Sequence, residues 1–486
     1  MNPLLRVIFL MFCLQKLFAQ TPFESLLSTL DTVSGPAAYK QSLIDSFMTK
    51  ARQSAIPIIE DSLVTFIHMT DAENVALGGD FTTWAASYKT PINHIDSTNF
   101  WYHQEVFERN ARLDYAFYID REFVRDQENP RTATGSIRAA SELAMPDYEY
   151  PAEIELNEAV PEGHMETILL EYFANGIDKS YRVNTYLPHG YDSSREGGYP
   201  VVYFQDGSGY LSQRGARARN IFNNLIFYQE IEPVISVYVN PHNRGLEYLM
   251  DQKETYAEFF ALHLTAYIDS MYNTIESPEG RLVMGPSYGG NISAYIAYQH
   301  SDIFGNCGLN SAAFRPSYEV FRLLADGPPK NVNFYAIWGT YEYPIHLDLR
   351  ALRDILLEKG YTFNWAEYPE GHNWGFWRAR IDDILKYFYP YIEEEPVIPQ
   401  KFVLRQNYPN PFNPNTTISY DLKQASSVSL KIYDGLGREI NTLVQNHQNS
   451  GSYQIIFSAG DLAGGIYYYQ LDTEYYSGVR KMLLLK

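Results

Sequence analysis

Residues 281–297, Arg-Leu-Val-Met-Gly-Pro-Ser-Tyr-Gly-Gly followed by Asn-Ile-Ser-Ala-Tyr-Ile-Ala, constrain this chain more than any other stretch. A short apolar run with strand character ends in Gly285-Pro286-Ser287-Tyr288-Gly289 and passes directly into a helix-like segment. That context is a nucleophile elbow, a sharp strand-to-helix turn that lifts one serine hydroxyl above the edge of a sheet. Gly285 and Gly289 keep the turn clear, because side chains there would collide across it. The flanking strand and helix carry more weight than the pattern, since a bare G-x-S-x-G arises by chance. It occurs nowhere else in the chain.

A serine nucleophile needs a base, and the base needs an acid to orient it, in the chain order Ser, acid, His for this geometry. His372 stands in Pro369-Glu370-Gly371-His372-Asn373-Trp374, after a strand-like run and before the helix-like residues 377–387. Glu342 lies just past the apolar run 333–338, in Gly339-Thr340-Tyr341-Glu342, and is the acid favoured by position. Asp348 is the alternative, but it falls within a helix-like segment that points it less directly at His372. Each residue has an ordinary counterpart: a turn serine, a solvated loop histidine, a surface carboxylate. Their order and spacing together favour the triad. The other ten histidines show no H-E-x-x-H and no H-x-H, so no metal site and no cofactor are expected.

With 486 residues the chain has room for two to four domains, and 45% hydrophobic residues can fill several cores. A net charge of −20 argues against nucleic acid or an anionic membrane as partner. The 41 tyrosines suit glycan stacking, and equally suit β-rich domains. Residues 1–19, with Arg6, an apolar run over 7–14 and Ala19 at the end, read as a secretory signal peptide, although Lys16 interrupts the pattern. The run is too short to span a bilayer, and no later stretch reaches about 18 apolar residues. Phe12 before Cys13 spoils a lipoprotein site. Removal of the signal would leave Cys307 alone, so no intrachain disulfide is expected.

Periodicity divides the remainder. Residues 21–56 read as helical, with Phe23, Leu26, Leu27 and Leu30 on one face and Gly35-Pro36 as a break. Residues 57–135 alternate in short runs, as in a small β-sandwich. Residues 136–161 are polar and Pro-bearing, a linker. Residues 162–395 alternate strand and helix signals, the α/β class. Residues 396–486 return to alternating strands.

Three resemblances sharpen this division. Leu77-Gly78-Gly79-Asp80-Phe81-Thr82-Thr83-Trp84, with Phe100-Trp101-Tyr102 and residues 115–120 and 126–130, resembles the early-set immunoglobulin-like domain related to glycogen-binding modules. The resemblance makes Trp84 a candidate for a sugar, against the commoner role of packing the core. Residues 199–207, Asn243-Arg244-Gly245-Leu246-Glu247-Tyr248, the 285–290 turn, 339–342 and 371–374 resemble, in order, the enterochelin-esterase and esterase D-like branch of the α/β-hydrolases. That resemblance implies Ser287 as nucleophile, His372 as base and Glu342 as acid. It implies an oxyanion site at the backbone N–H groups of Tyr288 and Ser208. Pro286 departs from the small or apolar residue of that motif and is expected to face away from the chemistry. The tail, with Asn407-Tyr408-Pro409-Asn410-Pro411-Phe412-Asn413-Pro414 and a Gly-x-Tyr-Tyr-Tyr strand, closely resembles the C-terminal sorting domain of the type IX secretion system. The type IX machinery is therefore an expected partner.

Together these readings describe an α/β-hydrolase domain flanked by an N-terminal immunoglobulin-like β-sandwich and a C-terminal β-sandwich sorting domain. The expected activity is that of a secreted serine esterase acting on acyl esters, acetyl or feruloyl, carried by polysaccharides. A siderophore-ester hydrolase and an inactive surface glycan-binding protein are the alternatives. An exopeptidase lacks the acidic pair that would bind a substrate amine. Tyr210 and Trp374 either form an aromatic wall of the pocket or pack the core. Arg244 and Glu247 either line it or pair to brace a loop.

Overall fold

The computed structural model describes residues 21–33, 35–84, 89–133, 139–174, 176–392, 399–460 and 462–485. The expected signal peptide lies outside the described residues. The chain divides into two compact units, 1–391 and 392–486.

The first unit opens with helices Pro22–Thr32 and Ala37–Ser54. Thr21 caps the first through a reciprocal pair with Glu24, satisfying N–H groups the helix cannot. Phe23, Leu26, Leu30, Ile44 and Met48 pack onto Ile67 and Phe100 of a β-sandwich. Its four-stranded sheet runs Ile58–Glu60, Leu63–Met69, Phe100–Val106, Asn93–His94. The facing sheet is built around Val75–Gly79, Arg112–Ile119 and Ala140–Ala144. Val64 and Phe66 from one sheet meet Leu77, Leu113, Tyr115 and Phe117 from the other.

The strand Ala140–Ala144 corrects the expected linker 136–161. It pairs antiparallel with Arg112–Ile119 and is buried along its length. Ala-Ser-Glu-Leu-Ala lacks apolar alternation, and its polar residues are buried against partners: Ser141 bonds Asp126, and Glu142 bonds Arg112.

Beside the sandwich stands an α/β domain with an eight-stranded sheet. The order is His164–Ala174, Ile177–Leu187, Ile235–Val239, Val201–Phe204, Arg281–Pro286, Asn306–Asn310, Asn333–Gly339, Phe363–Tyr368. The first two strands are antiparallel to their neighbours, and the other pairs are parallel. Val201–Phe204 and Arg281–Pro286 are buried throughout, as strands covered on both faces by helices must be. Two apolar cores fill the two faces. Cys307 is free and buried in one of them.

The second unit holds a three-stranded sheet, Val403–Leu404, Asn415–Leu422 and Gly451–Ser458, and a four-stranded sheet, Glu439–Gln448, Ser426–Tyr433, Gly465–Asp472 and Ser477–Leu484. Ile418 and Tyr420 meet Leu430, Tyr469 and Met482 in its core.

Candidate active site

Ser287 links strand Arg281–Pro286 to helix Tyr288–Gln299 with φ 56° and ψ −120°. A positive φ in a side-chain-bearing residue is strained, and the surrounding packing holds it. A Cβ on Gly285 would lie 2.7 Å from the Cβ of Gln205 and from the Gly289 carbonyl carbon, so the elbow closes only with glycine there. Tyr288 begins the helix, and its N–H has no partner among the described residues. Ser208 lines the same cavity, and its N–H donates to Asn240 Oδ1 at 3.0 Å.

His372 lies on the loop between strand Phe363–Tyr368 and helix Trp374–Phe388. Glu342 is buried just past strand Asn333–Gly339, and its Oε1 lies 3.6 Å from His372 Nδ1. That is an ion-pair distance, longer than a hydrogen bond. Glu342 Oε1 also accepts from Ser311 Oγ at 2.6 Å, and Ser311 Oγ accepts from Trp377 Nε1 at 2.9 Å. The Trp377 ring meets the His372 ring edge to face, centroids 5.0 Å apart. Asp348 is engaged elsewhere, with Arg315 at 2.9 Å and the Tyr318 hydroxyl at 3.1 Å.

Ser287 and His372 line one cavity of about 790 Å³. Trp374 and Trp377 line it from the α/β domain, and Trp84, Asp114, Tyr118 and Phe123 line it from the sandwich. Trp84 is therefore a cavity residue rather than a sandwich-core residue, and its Nε1 donates to Asp80 Oδ1 at 2.8 Å. Burial raises the Asp80 carboxyl. It also pushes Asp114 up to about 7, which Arg112 at 2.8 Å offsets only in part.

Three expectations change. Tyr210 is not a pocket wall: it is fully buried, tilted at 50° against Phe204 with centroids 4.4 Å apart, and perpendicular to Trp374 at 5.2 Å. Pro286 lines the cavity, and its carbonyl accepts from Arg244 Nη2 at 3.1 Å. Arg244 also lines the cavity, paired with Asp206 rather than Glu247. Glu247 is wholly buried and bonds Lys179, the Tyr181 hydroxyl and the His242 N–H. Sequence reasoning did not single out Ser311, Trp377, Asp80, Arg112 or Asp114. Only Asp80 had a local signal, its place in the Gly-Gly-Asp-Phe run.

Comparison with known proteins assigns two segments of the chain to families. Residues 174–362 match the Esterase family model, and residues 406–485 match the secretion system C-terminal sorting domain. The chain carries an esterase domain and a sorting domain. The enterobactin esterase of Shigella flexneri, solved in the presence of enterobactin, matches with TM-score 0.55 at 17% identity, over 68% of this chain and 94% of that one. The ferric enterobactin esterase of Salmonella typhimurium gives TM-score 0.57 at 16% identity, over 70% and 98%. These shares exceed what the α/β domain alone spans, so the shared fold is not confined to it. YjcH of Bacillus subtilis, itself uncharacterized, is 24% identical over 231 residues, 44% of this chain and 94% of its own.

Proposed function

We propose that the esterase domain is a serine carboxylic-ester hydrolase acting outside the cell, with Ser287, His372 and Glu342 as its triad. Ser287 Oγ attacks the ester carbonyl while His372 accepts its proton. Glu342 holds the imidazole in the tautomer that accepts at Nε2 and stabilises the imidazolium that forms. The tetrahedral oxyanion takes the free Tyr288 N–H, and the Ser208 N–H exchanges Asn240 Oδ1 for it. Each such donor contributes about 3 kcal/mol to transition-state stabilisation. The alcohol leaves with the proton from His372, and water, activated by the same base, releases the acid from the acyl-enzyme.

The observation that carries this reading is one cavity lined by an elbow serine and a histidine, with a buried carboxylate 3.6 Å from that histidine. A cavity of this size, walled by tryptophans, suits a flat ring on the acyl or alcohol side. Together with export through the sorting domain, this favours acetyl or feruloyl esters on polysaccharides. The likeness to enterobactin esterases over more than the α/β domain supports a second reading, hydrolysis of a siderophore ester.

The test is hydrolysis of p-nitrophenyl acetate, methyl ferulate and a catechol-bearing serine trilactone by wild type and Ser287→Ala. The variant is expected to lose about 10⁴-fold in kcat. The preferred wild-type substrate separates the two readings. Equal rates in both proteins would remove the triad assignment.

A further inference from the structure

We propose that Asp80 and Arg112, both supplied by the β-sandwich, are positioning residues that place the base His372 through the side chain of Asn373. The inference rests on the assignment of His372 as base.

Within the α/β domain the imidazole is held loosely. Its Nδ1 makes no hydrogen bond among the described residues; Glu342 Oε1 stands at 3.6 Å and the Trp377 ring lies perpendicular to the imidazole. The ring therefore stands where its backbone puts it, and that backbone is fastened from the sandwich side. Asn373, the next residue, donates from Nδ2 to Asp80 Oδ2 at 2.9 Å. Its Oδ1 accepts from Arg112 Nη1 at 2.8 Å and from the Phe376 N–H at 3.1 Å, which caps helix Trp374–Phe388. The Arg112 N–H donates to the Pro369 carbonyl at 3.2 Å, on the other side of His372.

Close packing repeats the pattern. A Cβ on Gly371 would lie 2.0 Å from Asp80 Cγ, and one on Gly375 would lie 2.4 Å from the Arg112 guanidinium carbon. The loop is seated on these two side chains to either side of the histidine. Both are themselves fixed. Asp80 accepts from the Asp114 N–H at 2.7 Å and from Trp84. Arg112 donates from Nε at 2.9 Å and Nη2 at 2.6 Å to Glu142 Oε2. A displacement of about 1 Å in a catalytic group can cost about 10²-fold in rate, which is the scale a failed bracket should reach.

The test uses the full chain and Asn373→Ser. Serine retains an oxygen to cap the helix but is too short to reach Asp80 and Arg112. The expected result is a loss of about 10- to 100-fold in kcat on methyl ferulate, with KM within about threefold of wild type. In the His372→Ala background the same change should lower residual p-nitrophenyl acetate hydrolysis by less than about twofold, since residues acting as one unit are non-additive. Asp80→Asn, which preserves volume, is the second variant and should lose about fivefold or more in kcat. Unchanged kcat in Asn373→Ser or in Asp80→Asn, or an equal loss with and without His372, would overturn the bracket. A fully active His372→Ala would overturn the base assignment, and the bracket with it. An inactive His372→Ala beside a fully active Asn373→Ser would overturn the bracket alone.

Discussion

The cavity has two walls, and they differ in chemistry. The α/β wall presents Ser287 and His372, groups able to react, on a turn and a loop at the ends of parallel strands. The sandwich wall presents Trp84 and Asp114, backed by a buried cluster of Asp80, Arg112 and Glu142 that makes no contact with Ser287 among the described residues. A buried ionic cluster is a poor source of net stability, because desolvation offsets much of its attraction. Its directed contacts to the His372 loop are the more informative feature. On the proposed reading one wall reacts and the other places.

The comparison makes its largest demand on the acid. Glu342→Gln should cost about 10³-fold or more in kcat, whereas Asp348→Asn, which weakens contacts to Arg315 and Tyr318 away from His372, should stay within about threefold. Steady-state kinetics on methyl ferulate checks both, and the reverse order would move the acid. Next, Trp84→Ala should raise KM about tenfold with kcat within about threefold, because that ring offers a binding surface and no proton transfer. A fall in kcat at constant KM would instead make Trp84 a placing residue through its bond to Asp80.

A smaller effect concerns pH. Burial pushes both Asp114 and Glu370 up to about 7, above the roughly 4 of carboxyls in an unfolded chain. The folded state thus holds these protons more tightly. The stability they contribute is full below about pH 4 and is lost as pH rises through about 7. Asp114→Asn should flatten the fall in melting temperature between pH 5 and pH 8 by about a few degrees. An unchanged slope would remove Asp114 from this account. The smallest effect is expected at Tyr210→Phe. Its hydroxyl accepts from Asn310 Nδ2 at 3.2 Å inside the core, so stability should drop by about 1 kcal/mol while kcat and KM stay within about twofold.

How far the sequence could be read follows the same division. The proposed triad residues Ser287, His372 and Glu342 could be singled out because each follows a strand and has a glycine within four residues, a local pattern. The alternation of buried strands and helices over 162–395 was legible for the same reason. Arg112 and Asp80 were not, because their contacts to Asn373 span 261 and 293 positions, and no local signal separates them from surface charges. Ala140–Ala144 was missed as a strand because its polar residues are buried with partners instead of alternating outward. Tyr210 was misplaced because helix Gly207–Leu211 turns it inward, into the core behind Trp374.

Covalent labelling of the full chain with a p-nitrophenyl phosphonate ester, followed by peptide mass analysis, tests Ser287 as the nucleophile. One equivalent of adduct is expected on the peptide bearing Ser287, with esterase activity lost in proportion to label. Activity lost with the label on another residue, or activity intact with Ser287 fully labelled, would contradict it.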